Sequence, residues 1–212
     1  GNCKYFCPMN DLPVYEILRS AARDWPENPA VYDEHGVMSF GELFKEAEEM
    51  RLQLMRLGIK EGMGIGVMAA NGRHFIIGIF AAVGCGAAVM PMSPQLKRAE
   101  IDDILQEAKL HAVIDDRSSI QPLDNIKTVI PLKQGSFRFS YTHIHESVAF
   151  APFVHQPAFI RFTSGTTGKS KGVIVSHQSV IERIDAANKG LELGPADTIV
   201  WVLPMAYHFM VS

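Results

Sequence analysis

The chain has 212 residues, 47% of them hydrophobic and 20% charged, with a formal net charge of -3. That length and balance can bury one sizeable globular core. They carry none of the basic excess by which nucleic-acid binders displace counterions, so nucleic acid is excluded as the main partner.

The amino terminus, with Cys3 and Cys7, reads as a loose segment, and no basic start with an apolar core marks a targeting peptide. With Cys85 these make three cysteines, odd in number and unevenly placed, which speaks against a secreted disulfide framework and for a reducing, cytoplasmic setting. Ser39 and Glu42 form a capping box. Phe40, Leu43, Phe44, Ala47, Met50 and Leu54 follow at helical spacing, and Glu42, Lys45, Glu46, Glu49 and Arg56 take the opposite face. Gly58 is the expected stop.

"GIGVMAA", 64–70, reads as a buried strand. The uncharged run from Phe75 to Met92 reaches the lower length limit for a membrane span. Gly84-Cys85-Gly86 punctuates that run and Pro91 ends it, so the preferred reading is a buried helix at 73–83 and a short buried strand at 87–90, with no transmembrane span. Ile101, Ile104, Leu105 and Ala108 make a further amphipathic helix, and "HAVID", 111–115, a further strand. Strand-helix-strand-helix order predicts an α/β fold with a mostly parallel sheet flanked by helices.

From Asp116 to Gln156 the periodicity weakens. "KTVI", 127–130, is a plausible strand, whereas Pro131 to Gln156 has no clear period. His143 and His145 would share one face of a strand, half of a metal site, but no third ligand stands at recognisable spacing. A partly exposed strand or loop is the simpler reading, and no metal site is assigned within the chain. No repeat, charge block or linker suggests an internal boundary.

"FTSGTTGKSKG", 162–172, contains Gly168-Lys169-Ser170, the tail of a P-loop. A P-loop needs glycine where Thr163 stands, and its Lys-Ser opens a helix. Here Lys171-Gly172 leads into the β-branched Val173, Ile174 and Val175, and "PAFIRF", 157–162, precedes it, so the loop joins two strands. A helix starts only at about His177. Gly165, Gly168 and Gly172 let successive amides point into one concavity. The hydroxyls of Thr163, Ser164, Thr166, Thr167 and Ser170, with Lys169 and Lys171, suit a polyphosphate. A solvated hairpin rich in turn formers is the alternative.

"FTSGTTGKSKGV" closely resembles the signature loop of the adenylate-forming (AMP-binding) enzyme superfamily, usually Thr-Ser-Gly-Thr-Thr-Gly-x-Pro-Lys-Gly-Val; only Ser170, in place of Pro, departs from it. "MSFGELFKEAEEMRLQLMRLGIKEGMGIGVMAANG", "GCGAAVMPMSP" (84–94) and "LPMAYHF" (203–209) resemble further family segments, so the likeness runs from about Val31 to Phe209. The resemblance implies ATP-dependent activation of a small carboxylic acid to an acyl adenylate, followed by transfer to a thiol, usually that of coenzyme A. By the same carry-over, Thr163, Ser164, Gly165, Thr166, Thr167 and Gly168 would hold the β and γ phosphates and Lys171 would support the loop or its charge. Thr163 is placed to touch the α-phosphate too.

In "LPMAYHF", Tyr207 stands where the family usually has His, with His208 one residue later; either could serve the acyl or adenylate pocket, and packing is the alternative for both. Asn71 and His177 match family positions that read as scaffold. Family members run well beyond one average domain. The resemblance therefore implies that residues 1–212 are the amino-terminal part of the large AMP-binding domain. Catalytic residues, most Mg²⁺ and coenzyme A contacts and the carboxy-terminal domain would lie downstream, leaving this stretch inactive alone. "AAVMPMSP" lacks the Tyr-Val-Pro-x-Asp pattern of peptide-synthetase adenylation domains, which favours an acyl-CoA synthetase. A peptide-synthetase adenylation domain and a non-catalytic nucleotide-binding or interaction module are the alternatives. The sequence assigns no oligomeric state.

Overall fold

The computed structural model describes residues 12–121, 123–142, 150–152, 154–163 and 171–208. Cys3, Cys7, His143 and His145 lie outside them. The chain opens with helix α1 (Pro13–Asp24), whose proline takes the first helical position, where its missing N–H costs nothing. A two-stranded hairpin follows, β1 (Pro29–Asp33) and β2 (Gly36–Ser39). Then comes α2 (Phe40–Arg56), with the expected capping box: Glu42 N–H donates to Ser39 Oγ at 3.2 Å and Ser39 N–H to Glu42 Oε2 at 3.1 Å. Gly58, at φ +89°, ends α2 as expected. Its left-handed turn lets Ile59 N–H reach Leu54 O and Gly58 N–H reach Met55 O.

Strand β3 (Gly64–Met68), α3 (Arg73–Gly84), β4 (Ala88–Met92), α4 (Arg98–Ala108) and β5 (Ala112–Asp115) make the parallel heart of a seven-stranded sheet. Strands β6 (Ile126–Pro131), β7 (Ser136–Tyr141), β8 (Pro157–Thr163) and β9 (Lys171–Ser176) complete it in the order β6-β7-β5-β3-β4-β8-β9. β8 runs parallel to β4, while β6, β7 and β9 pair antiparallel with their neighbours. The expected parallel sheet is thus its centre, and antiparallel strands finish both edges.

From β3 the chain crosses to β4 on one side, then returns past β3 to β5 on the other. Right-handed crossovers in opposite directions place α3 and α4 on opposite faces. Alternating side chains record this. Ile65, Val67, Val89, Ile114, Phe139 and Phe159 pack with α1, α2 and α3, whereas Met68, Met90, Met92, Val113 and Ile160 pack with α4. With both faces covered, every β3 residue is buried, and each such aliphatic side chain contributes about 1.5–3 kcal/mol. Gly66 is needed there: a Cβ would stand 2.6 Å from Met92 Sδ and 3.2 Å from Val113 Cγ2.

Two helices complete the described chain, α5 (His177–Leu191) and the short α6 (Met205–His208). No helix among the described residues is long and apolar enough to cross a membrane. The Phe75–Met92 run divides into α3 and β4 as expected, except that β4 continues through Pro91, which pairs with Val67, instead of stopping before it. Proline costs that strand one donor near its carboxyl end, past the Val89↔Phe159 pair with β8.

A buried ion pair ties three elements together. Gly72, the residue before α3, has no side chain to cap the helix, and Asp33 at the end of β1 supplies the acceptor. Arg73 N–H donates to Asp33 Oδ2 at 2.9 Å and its Nη2 to Asp33 Oδ1 at 2.7 Å, with the two side chains 7% and 8% exposed. The guanidinium also donates to Gly36 O and to Gln134 Oε1 in the β6–β7 turn, each at 2.9 Å. Burial by itself would raise the Asp33 carboxyl, but Arg73 and the N–H of His35 outweigh it and hold it down at about 2. The unfolded carboxyl titrates near 3.9, so the pair's stabilisation is complete above that pH and is lost as pH falls toward 2. Arg73→Met leaves Asp33 buried without its cation. Urea titration at pH 7 is expected to show a loss of about 3–5 kcal/mol, partly recovered in the Asp33→Ala/Arg73→Met double variant.

Candidate functional site

The phosphate-loop segment is carried by the β8–β9 hairpin. β8 is anchored by Ala158, Phe159 and Ile160 and β9 by Val175, all buried. The register runs from Pro157↔Ser176 to Thr163↔Lys171. Of the residues expected to bind phosphate, the structure brings Thr163 and Lys171 together as opposed positions that close the hairpin. Ser164, Gly165, Thr166, Thr167 and Gly168 lie outside the described residues, as do Lys169 and Ser170. The chain leaves the loop in a strand paired antiparallel to the one that entered it. A P-loop would leave it in a helix, so that reading is excluded by topology.

The hairpin's position matters more than its outline. β8 is parallel to β4, β3 and β5, so its loop emerges at the edge where those strands also end. In open α/β sheets, ligands bind outside the carboxyl ends of the strands, where crossovers depart in opposite directions. β3 occupies that point here, with β4 and β5 on either side. The turn after it carries Asn71, whose Nδ2 donates to Leu203 O and whose Oδ1 accepts Met205 N–H, both at 2.8 Å. The segment holding Tyr207 and His208 is therefore fixed at the same edge as the phosphate hairpin, with α6 against β4.

Further polar groups gather along this edge. Asp115, at the end of β5, is paired with Arg138 of β7 and accepts the Ser119 hydroxyl, each at 2.5 Å. Asp116 Oδ2 accepts Ala70 N–H at 3.2 Å and lies 3.8 Å from His74 Nδ1. The Asp116 contacts tie the carboxyl ends of β3 and β5 together. The Asp115–Arg138 pair escapes sequence reasoning because it depends on β7, in a stretch without clear period. Asp115 itself carries a signal, as an acid closing an apolar strand.

Among the described residues no group of three or more His, Cys, Asp or Glu side chains could hold a metal ion. Mg²⁺ is therefore assigned no residue, and no step is routed through it. Cys85 is a free thiol. It donates to Ala81 O at 3.3 Å, and burial pushes it up to about 12, so it is no nucleophile.

His177 begins α5, with Ser176 capping the helix. It is 1% exposed; its backbone N–H donates to Gln156 O at 3.0 Å and its Nδ1 accepts Val14 N–H at 3.3 Å. Its ring proton then sits on Nε2, which is buried without a partner among the described residues. Burial pushes the ring down to about 4, so it is a neutral post tying α1 to the base of the phosphate hairpin.

The described residues thus place a strand–loop–strand hairpin at the carboxyl edge of a parallel sheet covered by helices on both faces. The sequence model of the AMP-binding enzyme family matches residues 18–212, and the chain belongs to that family. It is 27% identical over 207 residues to a plipastatin synthase polypeptide of Bacillus subtilis (strain 168), covering 97% of this chain and 8% of that one. Among solved structures it is similar to a long-chain-fatty-acid-CoA ligase from Archaeoglobus fulgidus, with TM-score 0.71 and 19% identity over 92% of this chain and 43% of that one. It is equally similar to VinN in complex with L-aspartate, with TM-score 0.71 and 19% identity, covering 92% of this chain and 57% of that one. The chain thus spans less than two thirds of each.

The His177 geometry sets a pH dependence. Between the unfolded value of about 6.5 and the folded value of about 4, the unfolded chain binds a proton that the folded chain refuses, so stability falls as pH falls. His177→Gln keeps an acceptor for Val14 and removes the titration. Urea titrations at pH 7 and pH 4 are expected to show the parent chain losing about 3 kcal/mol more than the variant.

Proposed function

We propose that this chain is the amino-terminal part of the large domain of an AMP-forming acid-thiol ligase. In its first step a carboxylate oxygen attacks the α-phosphorus of ATP, the Pα–O bond to the β-phosphate breaks, and pyrophosphate leaves with the electron pair. A thiolate then attacks the acyl carbon of the acyl adenylate, and AMP leaves. Carboxylates are poor electrophiles, and adenylation supplies the leaving group. The observation that carries this reading is the position of the Thr163–Lys171 hairpin at the carboxyl edge of β8, beside the end of β4.

In that position the loop amides and the hydroxyls of Ser164, Thr166 and Thr167 would grip the β and γ phosphates, where charge grows as pyrophosphate departs. Lys171 would add positive charge at the loop's exit. Tyr207 or His208 would face the carboxylate. Coenzyme A is the proposed thiol, supported by the "AAVMPMSP" segment and the fatty-acid-CoA ligase likeness. The plipastatin synthase similarity favours a second reading, an adenylation domain that loads an amino acid onto a carrier. A cytoplasmic setting fits the free Cys85 thiol.

The carboxy-terminal surface supports the larger assembly. Ile199, Val200, Val202 and Leu203 are 63%, 82%, 82% and 50% exposed, in a β-branched run with no strand partner among the described residues, and β9 is an edge strand. An apolar run of this kind belongs against another layer. Adjoining polypeptide of the same protein is the proposed cover, given that the chain spans 43% of the ligase it resembles.

ATP–pyrophosphate exchange tests the function. A polypeptide joining this chain to the rest of its reading frame is expected to exchange label in response to a carboxylic acid, whereas residues 1–212 alone give none. Lys171→Met or Thr167→Val is expected to lower kcat/KM for ATP at least tenfold, about 1.4 kcal/mol. Exchange responding only to amino acids would replace the coenzyme A reading with the carrier-loading one, and exchange by residues 1–212 alone would overturn the proposed division of the site.

A further inference from the structure

Asn71 stands in the exposed turn between β3 and α3, where its side chain does nothing for the core. Its carboxamide nonetheless spans 132 and 134 positions of sequence to make two bonds, Nδ2–H to Leu203 O and Oδ1 from Met205 N–H, both at 2.8 Å. The two backbone groups flank Pro204, which has no N–H of its own to offer. Met205 opens α6, so its N–H is one of the donors that a helix start leaves without an intrahelical partner. Donor and acceptor are both used, and only a carboxamide of this reach matches both. Asp would keep the Met205 bond and lose the other, and Ala would lose both.

The clamp has a location that gives it consequence. Residues 192–204 make no helix or strand, and Ile199 to Leu203 are exposed. After them Met205 and Ala206 pack against the main core, and α6 lies against β4. Asn71 is therefore the point at which a loosely held segment is brought to the carboxyl edge of the sheet, in the register that places Tyr207 and His208.

We infer that Asn71 is a positioning residue for the acid-binding half of the site: its side-chain amide fixes residues 203–208, and through them the carboxylate, while leaving the ATP phosphates to the β8–β9 hairpin. The inference rests on the ligase reading above, and the two are tested separately.

Hydrogen exchange on the 212-residue chain tests the clamp without any activity. In Asn71→Ala the amides of Met205 and the residues after it are expected to exchange at least tenfold faster, with those of β3 and β4 unchanged. Asn71→Asp should fall between, and Asn71→Gln should restore part of the protection. Unchanged exchange at Met205 in Asn71→Ala overturns the clamp. In the longer polypeptide, Asn71→Ala is expected to raise KM for the carboxylate at least tenfold and KM for ATP less than twofold, with Asn71→Asp intermediate. Equal rises in the two constants would overturn the positioning role. A parent polypeptide that gives no acid-dependent exchange of pyrophosphate would defeat the ligase reading, and the clamp would then stand or fall on hydrogen exchange.

Discussion

The rest of the structure depends on β3 being buried on both faces. A central parallel strand covered by helices on each side offers no surface to water, so its sequence must be apolar throughout and thin where neighbours converge. Ile65 and Val67 fill one face, and Gly66 leaves room on the other for Met92 and Val113. The α3 and α4 crossovers can close over opposite faces only because β4 and β5 flank this strand. Its carboxyl end becomes the place where the fold parts and a ligand can enter.

Several long-range contacts converge near that end. Asn71 reaches the 203–205 backbone, Gly72 and Arg73 turn the chain into α3, and Ala70 bonds Asp116 across to β5. The Asp33–Arg73 pair keeps this turn rigid by joining the β1–β2 hairpin, the start of α3 and the β6–β7 turn. Such a pair gives little net stability against an apolar replacement, but losing one partner is costly. Its value here is geometric: it fixes the direction in which α3 leaves the sheet.

How much was legible varied with the range of the physics. The α2 capping box, the Gly58 stop, β3, α3, β5 and the strand–loop–strand order around the phosphate hairpin follow from residues a few positions apart, and the structure agrees with them. α1 begins at Pro13 and buries Val14, Tyr15 and Leu18, a helix that the sequence expectations did not include. β7 alternates Phe137 and Phe139 inward, but Arg138 between them answers Asp115 across the ladder, a pairing no local window contains. Pro91 shows the converse: a local breaker is tolerated where the ladder needs few donors.

By itself the sequence determined the class of protein. The spacing of glycines, hydroxyls and lysines in "FTSGTTGKSKG", and the strand that follows it, are short-range properties, enough to separate this loop from a P-loop, and the sequence over residues 18–212 shows the family. Only the tertiary structure decided which distant residues share an edge. In the sequence Asn71 marks the end of a strand, and in the fold it holds Leu203 and Met205; His177 marks the start of a helix, and it also receives Val14 N–H inside the core. The reason is that hydrogen bonds across 132 to 163 positions are set by the packing of layers, which the alternation of side chains permits but does not specify.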